Sequence, residues 1–177
     1  MAISGLFVAL VVAVAAPRDP FLVQVDLQSL YDEDSAAELQ FDTTADIDRF
    51  HEVFCTADWV FIDADGSRHL WEDVRDRAAS LLTTPRFDSI EQPIQKLALT
   101  PSGATVVVAM TALRAVVDSE GRFGRAGVTH TVAETTTFRD TWAETANGWR
   151  QTSRQQIGAV KRVTGQPPDD YQEVWKF

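Results

Sequence analysis

Hydrophobic positions in the first half of the chain recur with the period of an α-helix, and the spacing predicts three helices. The first is predicted over residues 20–39, and its apolar face carries Val23, Leu27, Leu30 and Tyr31. The second begins at a cap formed by Thr43 or Thr44, and its stripe contains Ile47, Phe50, His51 and Phe54. The third ends before Pro85 and shows one face with Leu70, Trp71, Val74, Ala78, Leu81 and Leu82.

The period then changes to two, which is typical of β-strands. A short buried strand is predicted over residues 59–62, before the turn-forming pair Asp65-Gly66. Four longer strands are predicted over residues 87–100, 104–117, 127–142 and 149–157, with hairpin-type residues between them. Pro93 lies inside the first of the four and indicates an edge or a bulge there.

This order of elements predicts an α+β fold, with three N-terminal helices laid against one curved antiparallel sheet. Long strands twist and curl, so the helices and the concave side of the sheet are expected to enclose a cone-shaped pocket. The predicted organisation is a leader over residues 1–16, one domain over residues 17–160 and a C-terminal tail over residues 161–177.

The net charge of the chain limits the kinds of molecule that it is expected to bind. The chain has 16 Lys and Arg against 26 Asp and Glu, which gives a formal net charge of −10. Such a field repels nucleic acid and anionic membrane surfaces, so neither is an expected partner.

The first sixteen residues carry no charge and form an apolar run that ends in a small-x-small site at Ala13-Val14-Ala15. This pattern favours a cleaved signal peptide and a secreted or periplasmic protein that is not stably inserted in a membrane after cleavage. The run lacks a basic residue before it, so an uncleaved anchor or a buried N-terminus remains an alternative. The single cysteine, Cys55, excludes an internal disulfide and is expected to be a small buried thiol.

Two stretches resemble proteins of the nuclear transport factor 2-like superfamily. Residues 54–66 (FCTADWVFIDADG) are similar to that superfamily's passage from a helix into a strand. Residues 137–150 (TFRDTWAETANGWR) look like its last hairpin. The superfamily includes SnoaL-like cyclases, ketosteroid isomerases, dehydratases and association domains, so the resemblance implies a fold and leaves the function open.

The resemblance implies an acid/base site of the ketosteroid isomerase kind. Asp63 falls near the position of the general base, Asp140 near that of a protonated acid, and Tyr31 would be a phenol donor. A carboxylate that removes a proton next to a carbonyl, with two donors that stabilise the enolate, is coherent chemistry. The structural alternative is that Asp63 opens the Asp65-Gly66 turn, Asp140 bonds to backbone and Tyr31 fills the core.

Strand alternation gives a second candidate site. His130, Glu134, Phe138 and Asp140 share one face of their strand if no bulge intervenes, and a His–carboxylate pair in a cavity could activate water. A register slip of one residue would turn this face outward instead. The apolar pocket is expected to include Trp59, Phe61, Phe138 and Trp142. No cofactor motif and no metal-ligand spacing is recognised in the sequence.

Two functions are compatible with these features. The first is an exported domain that binds a small apolar or semi-polar molecule, with acid/base catalysis of isomerase, cyclase, dehydratase or hydrolase type as an option. The second is a non-catalytic, homodimeric interaction module, which would combine a filled pocket with an exposed apolar sheet face that includes Val106, Val108 and Trp149.

Overall fold

The computed structural model describes residues 18–83, 86–122 and 126–163. Their elements in chain order are α1 (Pro20–Glu38), α2 (Thr44–Phe54), β1 (Cys55–Ile62), β2 (Arg68–Leu70), α3 (Trp71–Leu81), β3 (Ser89–Glu91), β4 (Ile94–Thr100), β5 (Gly103–Asp118), β6 (Val128–Thr145) and β7 (Gly148–Val163). The leader over residues 1–16 and the tail from residue 164 onward lie outside the described residues. Within these residues, no helix combines the length and apolarity needed to cross a membrane.

Local sequence signals fix the beginnings of the first two helices. The Asp19 side chain accepts a hydrogen bond from the backbone N–H of Phe21 (2.9 Å), and Pro20 occupies the first helical turn. Thr43 caps α2 in a capping box, in which Asp46 bonds back to the Thr43 backbone N–H. These caps explain why α1 and α2 begin close to the residues predicted from the sequence.

Seven strands form one curved sheet in the order β2-β1-β7-β6-β5-β3, and β4 also pairs with β5. The predicted α+β class, with three helices and a curved sheet, is confirmed. One pairing differs from the antiparallel expectation, because β1 runs parallel to β7 and the sheet is therefore mixed. This pairing joins two distant parts of the chain, and no local turn signal reports it.

The strand boundaries differ from the prediction at several places, among them the end of β7, which extends to Val163 and not to residue 157. β1 begins at Cys55, and β2 is an additional short strand that pairs with it. The predicted strand 87–100 is interrupted next to Pro93, which has no N–H for a strand ladder, and becomes β3 and β4. Both pieces still pair with β5, so together they form one broken edge of the sheet.

The main core lies between α1 and the face of β5 and β6 that the helices cover. Its buried side chains are Val23, Leu27, Tyr31, Ala104, Val106, Val108, Phe138 and Trp142. The assignment of Val106 and Val108 to an exposed sheet face is therefore wrong, because both side chains are fully buried under α1. A second cluster contains Cys55, and burial raises the pKa of its thiol to about 12, as expected of an inert buried cysteine.

Candidate functional site

Polar and apolar residues share one row of cross-strand partners that crosses the sheet beneath the helices. From β2 to β4 the row contains His69, Phe61, Arg154, Asp140, Val106 and Leu97. Cross-strand partners project from the same face of a sheet. The polar members of this row therefore face the helices together with the core, where an unpaired charge would be strongly destabilising.

Asp140 lies at the centre of the row, is 0% exposed and accepts hydrogen bonds from three residues. The donors are Tyr31 Oη (2.7 Å), Gln151 Nε2 (3.0 Å) and Arg154 Nη2 (3.0 Å). Tyr31 Oη in turn accepts from Trp142 Nε1 at 3.0 Å. We refer to these five residues as the Asp140 cluster.

Arg154 connects the Asp140 cluster to the segment between β3 and β4. Its Nη2 donates to Gln92 Oε1 (3.0 Å), and its guanidinium lies 4.8 Å from the ring centre of Phe138. Gln92 Nε2 donates to Asp34 Oδ1 (2.9 Å) on α1. Burial alone would lower the pKa of Arg154, but the charges of Asp140 and Asp34 outweigh burial and raise it. Arg154 therefore stays charged and is balanced by carboxylates on two sides.

Asp34 and Glu38, one helical turn apart on α1, form a carboxyl pair hydrogen-bonded to each other. Burial, together with the neighbouring charge of Asp34, raises the pKa of Glu38 to about 8. Burial also raises the pKa of Asp34, although Arg154 and the Glu38 hydrogen bond oppose it. The pKa of Tyr31 is raised well above its usual value by burial and by the charge of Asp140. Tyr31 is therefore a neutral phenol, and the carboxyl pair holds a proton near neutral pH.

A second polar site lies at the opposite edge of the sheet, where Asp63 follows β1. Its Oδ2 is 2.7 Å from His69 Nε2. Its Oδ1 is buried and has no hydrogen-bond partner among the described residues. The turn that brings the two residues together is closed by the bonds Asp63 N–H to Ser67 O (2.9 Å) and Gly66 N–H to Asp63 O (3.0 Å), and Gly66 provides its positive φ of 90°. We refer to these two side chains as the Asp63–His69 pair.

The contact with Arg77 indicates which His69 nitrogen carries the proton. Arg77 Nη2 lies 3.4 Å from His69 Nδ1, and a guanidinium can only donate hydrogen bonds. Nδ1 is then the acceptor, and Nε2 carries the proton that points to Asp63. His69 therefore donates to Asp63, which leaves the carboxylate as an acceptor with one oxygen unused.

The structure brings together only part of the predicted acid/base set. Tyr31 and Asp140 are in direct contact, whereas the described hydrogen-bond partner of the Asp63 side chain is His69. Asp140 was expected to donate from a protonated carboxyl group, but each of its described hydrogen bonds is one that it accepts. Asp140 is thus an acceptor in these bonds, and Arg154 is its closest cationic partner among the described residues.

His130 and Glu134 do lie on the Asp140 side of β6, because the β5–β6 register runs without a break. They are nevertheless distant from each other, since four residues of strand span about 13 Å. Glu134 forms ion pairs with Arg114 (2.8 Å) and Lys161 (3.6 Å). The two residues therefore do not form a His–carboxylate pair with each other.

The four aromatic residues predicted to line the pocket lie around the Asp140 cluster and pack closely. Trp59 Nε1 donates to Gln151 Oε1 (2.8 Å), and the Phe61 and Phe138 rings meet edge to face at 6.3 Å. Trp142 is 1% exposed and contacts Tyr31 ring to ring at 5.5 Å. Side chains thus occupy the space around these aromatic residues.

Sequence reasoning did not identify Arg154, Gln151, Gln92 or His69 as site residues. Gln151 pairs with Trp142 and Ser153 pairs with Thr141, so Thr152 is an extra residue in β7. This bulge places both Gln151 and Arg154 on the covered face. In a strand without a bulge, two residues three positions apart would lie on opposite faces. The Asp65-Gly66 turn, by contrast, was a usable signal, because a hairpin around it brings Asp63 and His69 together.

Three helices over one face of a curved mixed sheet, with a polar cluster in the interior, define a cone-type α+β domain. Solved structures share this architecture. One from Novosphingobium aromaticivorans, proposed to be an aromatic ring hydroxylase, has a TM-score of 0.52 at 18% identity and covers 78% of this chain and 90% of its own. A proposed scytalone dehydratase from the same organism has a TM-score of 0.52 at 12% identity, with 84% and 91% covered.

A third structure, proposed to be a dehydratase of the NTF2-like family from Streptomyces avermitilis, has a TM-score of 0.51 at 14% identity and covers 78% of this chain and 97% of its own. No protein-family model and no curated protein sequence matches the chain. The chain has the nuclear transport factor 2-like fold, which confirms the resemblance seen in the sequence at the level of fold.

Proposed function

We propose that this chain is a small-molecule-binding domain in which Asp63, oriented by His69, acts as a general base. The observation that carries the proposal is the asymmetry of the Asp63 carboxylate. One oxygen is held by His69 at 2.7 Å, and the other is buried with no partner among the described residues. A buried acceptor without a donor is unfavourable in a resting structure, which suggests that a ligand completes it.

The chemistry suited to this arrangement is removal of a proton from carbon next to a carbonyl group. His69 fixes one oxygen through Nε2–H, so that the second oxygen can accept the substrate proton. Asp63 is 8% exposed, and the limited access of water favours transfer to an organic substrate. Two of the similar structures are proposed dehydratases, and a dehydration that begins with loss of such a proton needs a base of this kind.

Hydrogen–deuterium exchange measured by NMR tests the proposal without knowledge of the product. The protein is incubated in D2O with a panel of ketones, enones and hydroxyketones, and loss of the proton signal beside the carbonyl is followed. We expect exchange above the buffer rate for at least one compound. Asp63→Asn should abolish it, and His69→Gln should reduce it about 10²-fold or more.

Asp76→Asn is the matched control, because it removes one carboxylate from a side chain of α3 that is 83% exposed. Its exchange rate should equal that of the parent. The proposal fails if no compound exchanges, or if exchange persists in Asp63→Asn.

A homodimeric interaction module is a second candidate, supported by the packed interior around Trp142 and by apolar residues on the uncovered sheet face. Val117 and Val160 are 62% and 46% exposed. They pair with Thr129 and Thr135, which alternate with Asp140 on β6 and so face away from the helices. Sedimentation of the parent and of Val160→Lys tests this candidate, which requires a dimer that the substitution dissociates.

A further inference from the structure

A groove of about 390 Å³ lies between α1 and the segment that joins β3 to β4. It is at the sheet edge opposite to the Asp63–His69 pair, because β3 and β4 border β5, whereas β2 borders β1. Its walls and rim include Asp32, Ala36, Leu39, Ile90, Glu91 and Pro93. The groove is thus separate from the site proposed for proton transfer.

The floor of the groove is polar, but its hydrogen-bonding groups are already used. Gln28 Nε2 donates to Asp32 Oδ1 (2.9 Å) and to the Gln92 carbonyl (3.2 Å), and Gln28 Oε1 accepts from the Ile94 N–H (3.0 Å). The Gln92 amide bonds to Asp34, Ser35 and Arg154. A ligand therefore meets a fixed surface here, on which no side-chain amide is available as a new donor.

The remaining polar groups of the groove are acceptors at its rim. Glu91 is exposed and forms no hydrogen bond or ion pair among the described residues. Within the part of the chain that the structure describes, the Asp32 side chain accepts one hydrogen bond, from Gln28 to Oδ1, which leaves its second oxygen for a ligand. The described residues that line the groove include no Lys, Arg or His, and the chain as a whole carries a formal net charge of −10. A ligand would consequently meet two carboxylates above an apolar wall.

We propose that this groove binds a small organic amine, a cation with an apolar body. The ammonium group donates to the carboxylates of Asp32 and Glu91. The hydrocarbon part packs against Ala36, Leu39, Ile90 and Pro93. Charge complementarity selects the amine over neutral or anionic molecules of the same shape, because like charge at the rim is repulsive. The inference does not depend on the proposed chemistry of Asp63.

Titration calorimetry of the whole chain with three molecules of similar shape tests the proposal. The probes are 2-phenylethylamine, 2-phenylethanol and 3-phenylpropionate. We expect saturable binding of the amine that weakens as salt is added, since exposed charge pairs are screened. The alcohol should bind at least tenfold more weakly, and the acid should show no binding.

Variants separate this groove from general attraction to an acidic protein. Asp32→Asn combined with Glu91→Gln should raise the Kd for the amine about tenfold. The control combines Asp26→Asn with Glu33→Gln, which removes two exposed carboxylates of α1 that do not line the groove, and it should leave Kd unchanged. Ala36→Trp, at an exposed helix position on the groove wall, should block binding without unfolding the chain.

The Asp63→Asn variant should bind the amine as the parent does. Failure of the amine-binding proposal can therefore be distinguished from failure of the proton-transfer proposal. Equal affinity for the amine and the alcohol would overturn the inference. So would an unchanged Kd in the Asp32 and Glu91 double variant, an equal loss in the control pair, or no binding of the amine to the parent.

Discussion

Asp140 and Asp63 are both buried aspartates on the side of the sheet that the helices cover, yet their surroundings are opposite. Asp140 accepts hydrogen bonds from Tyr31, Gln151 and Arg154. Among the described residues, the Asp63 side chain has one hydrogen-bond partner, His69, and one buried oxygen without a partner. A carboxylate saturated with donors is stable and unavailable, whereas one with a vacant oxygen is less stable and free to react. This difference supports the proposal that Asp140 has a structural role and that Asp63 is the reactive carboxylate.

Position in the sheet explains part of this difference. Asp140 lies in β6, between β5 and β7, so side chains from α1 and β7 can reach it. Asp63 follows β1, whose outer neighbour is the three-residue strand β2. Fewer elements surround Asp63, and fewer donors are available to it. The predictions below test whether the two carboxylates behave as this comparison requires.

The largest expected effect is that of Arg154→Met, which removes the cation that balances Asp140 and Asp34. Loss of one partner from a buried ionic group leaves uncompensated charge, and we expect a loss of about 3–5 kcal/mol in the free energy of unfolding. Urea denaturation at pH 7 measures it. Arg139→Met is the control, because Arg139 is exposed and has one long bond to Gln155 (3.3 Å), and its effect should stay within about 0.5 kcal/mol. Equal losses in the two variants would contradict an ionic role for Arg154.

The same substitution at both carboxylates gives the most direct comparison. Asp140→Asn leaves Arg154 without its nearest charge and turns an amide toward several donors, so we expect a loss of about 3 kcal/mol. Asp63→Asn keeps one acceptor for His69 and relieves an unpaired buried carboxylate oxygen, so its effect should be within about 1 kcal/mol in either direction. Thermal and urea unfolding of both variants provide the measurement. A larger loss at Asp63 than at Asp140 would reverse the assignment of roles.

The carboxyl pair Asp34–Glu38 extends the comparison to the dependence of stability on pH. The pKa of Glu38 is about 8 in the folded chain against 4.5 for an ordinary glutamate, so between these values the folded state holds a proton that the unfolded state has released. Stability should therefore fall as pH rises from about 4.5 to 8, by at most about 5 kcal/mol for a difference of 3.5 pKa units at about 1.4 kcal/mol per unit, and then level off.

Glu38→Gln isolates this contribution, because it is neutral at every pH. The pKa of His51 is lowered chiefly by burial, and its titration raises stability with pH in part of the same range. The difference between the parent and Glu38→Gln curves cancels that opposing effect. A difference that does not change between pH 5 and 8 would show that the pair holds no proton.

Sequence signals that act over a few residues predicted the helices, turns and most strands. Contacts between distant parts of the chain were not predicted. The Thr43 cap, the Asp65-Gly66 turn and the period-two strands gave the helices and most strands close to their observed positions. The contacts of Arg154 depend on the bulge at Thr152 and on Gln92, far away in the chain, and no periodicity in either segment indicates them. The resemblance to ketosteroid isomerases implied a donor role for Asp140, and the sequence did not indicate its partner Arg154. His69 could have been placed beside Asp63 from the hairpin alone.

Tyr31→Phe is expected to destabilise the chain less than Arg154→Met or Asp140→Asn does, and it probes how the Asp140 cluster shares its hydrogen bonds. The hydroxyl donates to Asp140 Oδ2 (2.7 Å) and accepts from Trp142 Nε1 (3.0 Å), so its removal leaves the buried indole N–H without its acceptor and Asp140 with one donor fewer. Asp140 keeps Gln151 and Arg154, and the ring still packs against Trp142, so we expect a loss of about 1–2 kcal/mol in urea denaturation. Because burial and Asp140 raise the pKa of Tyr31, the phenolate absorbance of this residue, taken as the parent minus Tyr31→Phe so that the second tyrosine, Tyr171, cancels, should also fail to appear until the chain unfolds at high pH. Titration of Tyr31 itself near pH 10 in the folded protein, or a variant as stable as the parent, would show that the bond between Tyr31 and Asp140 does not hold the cluster together.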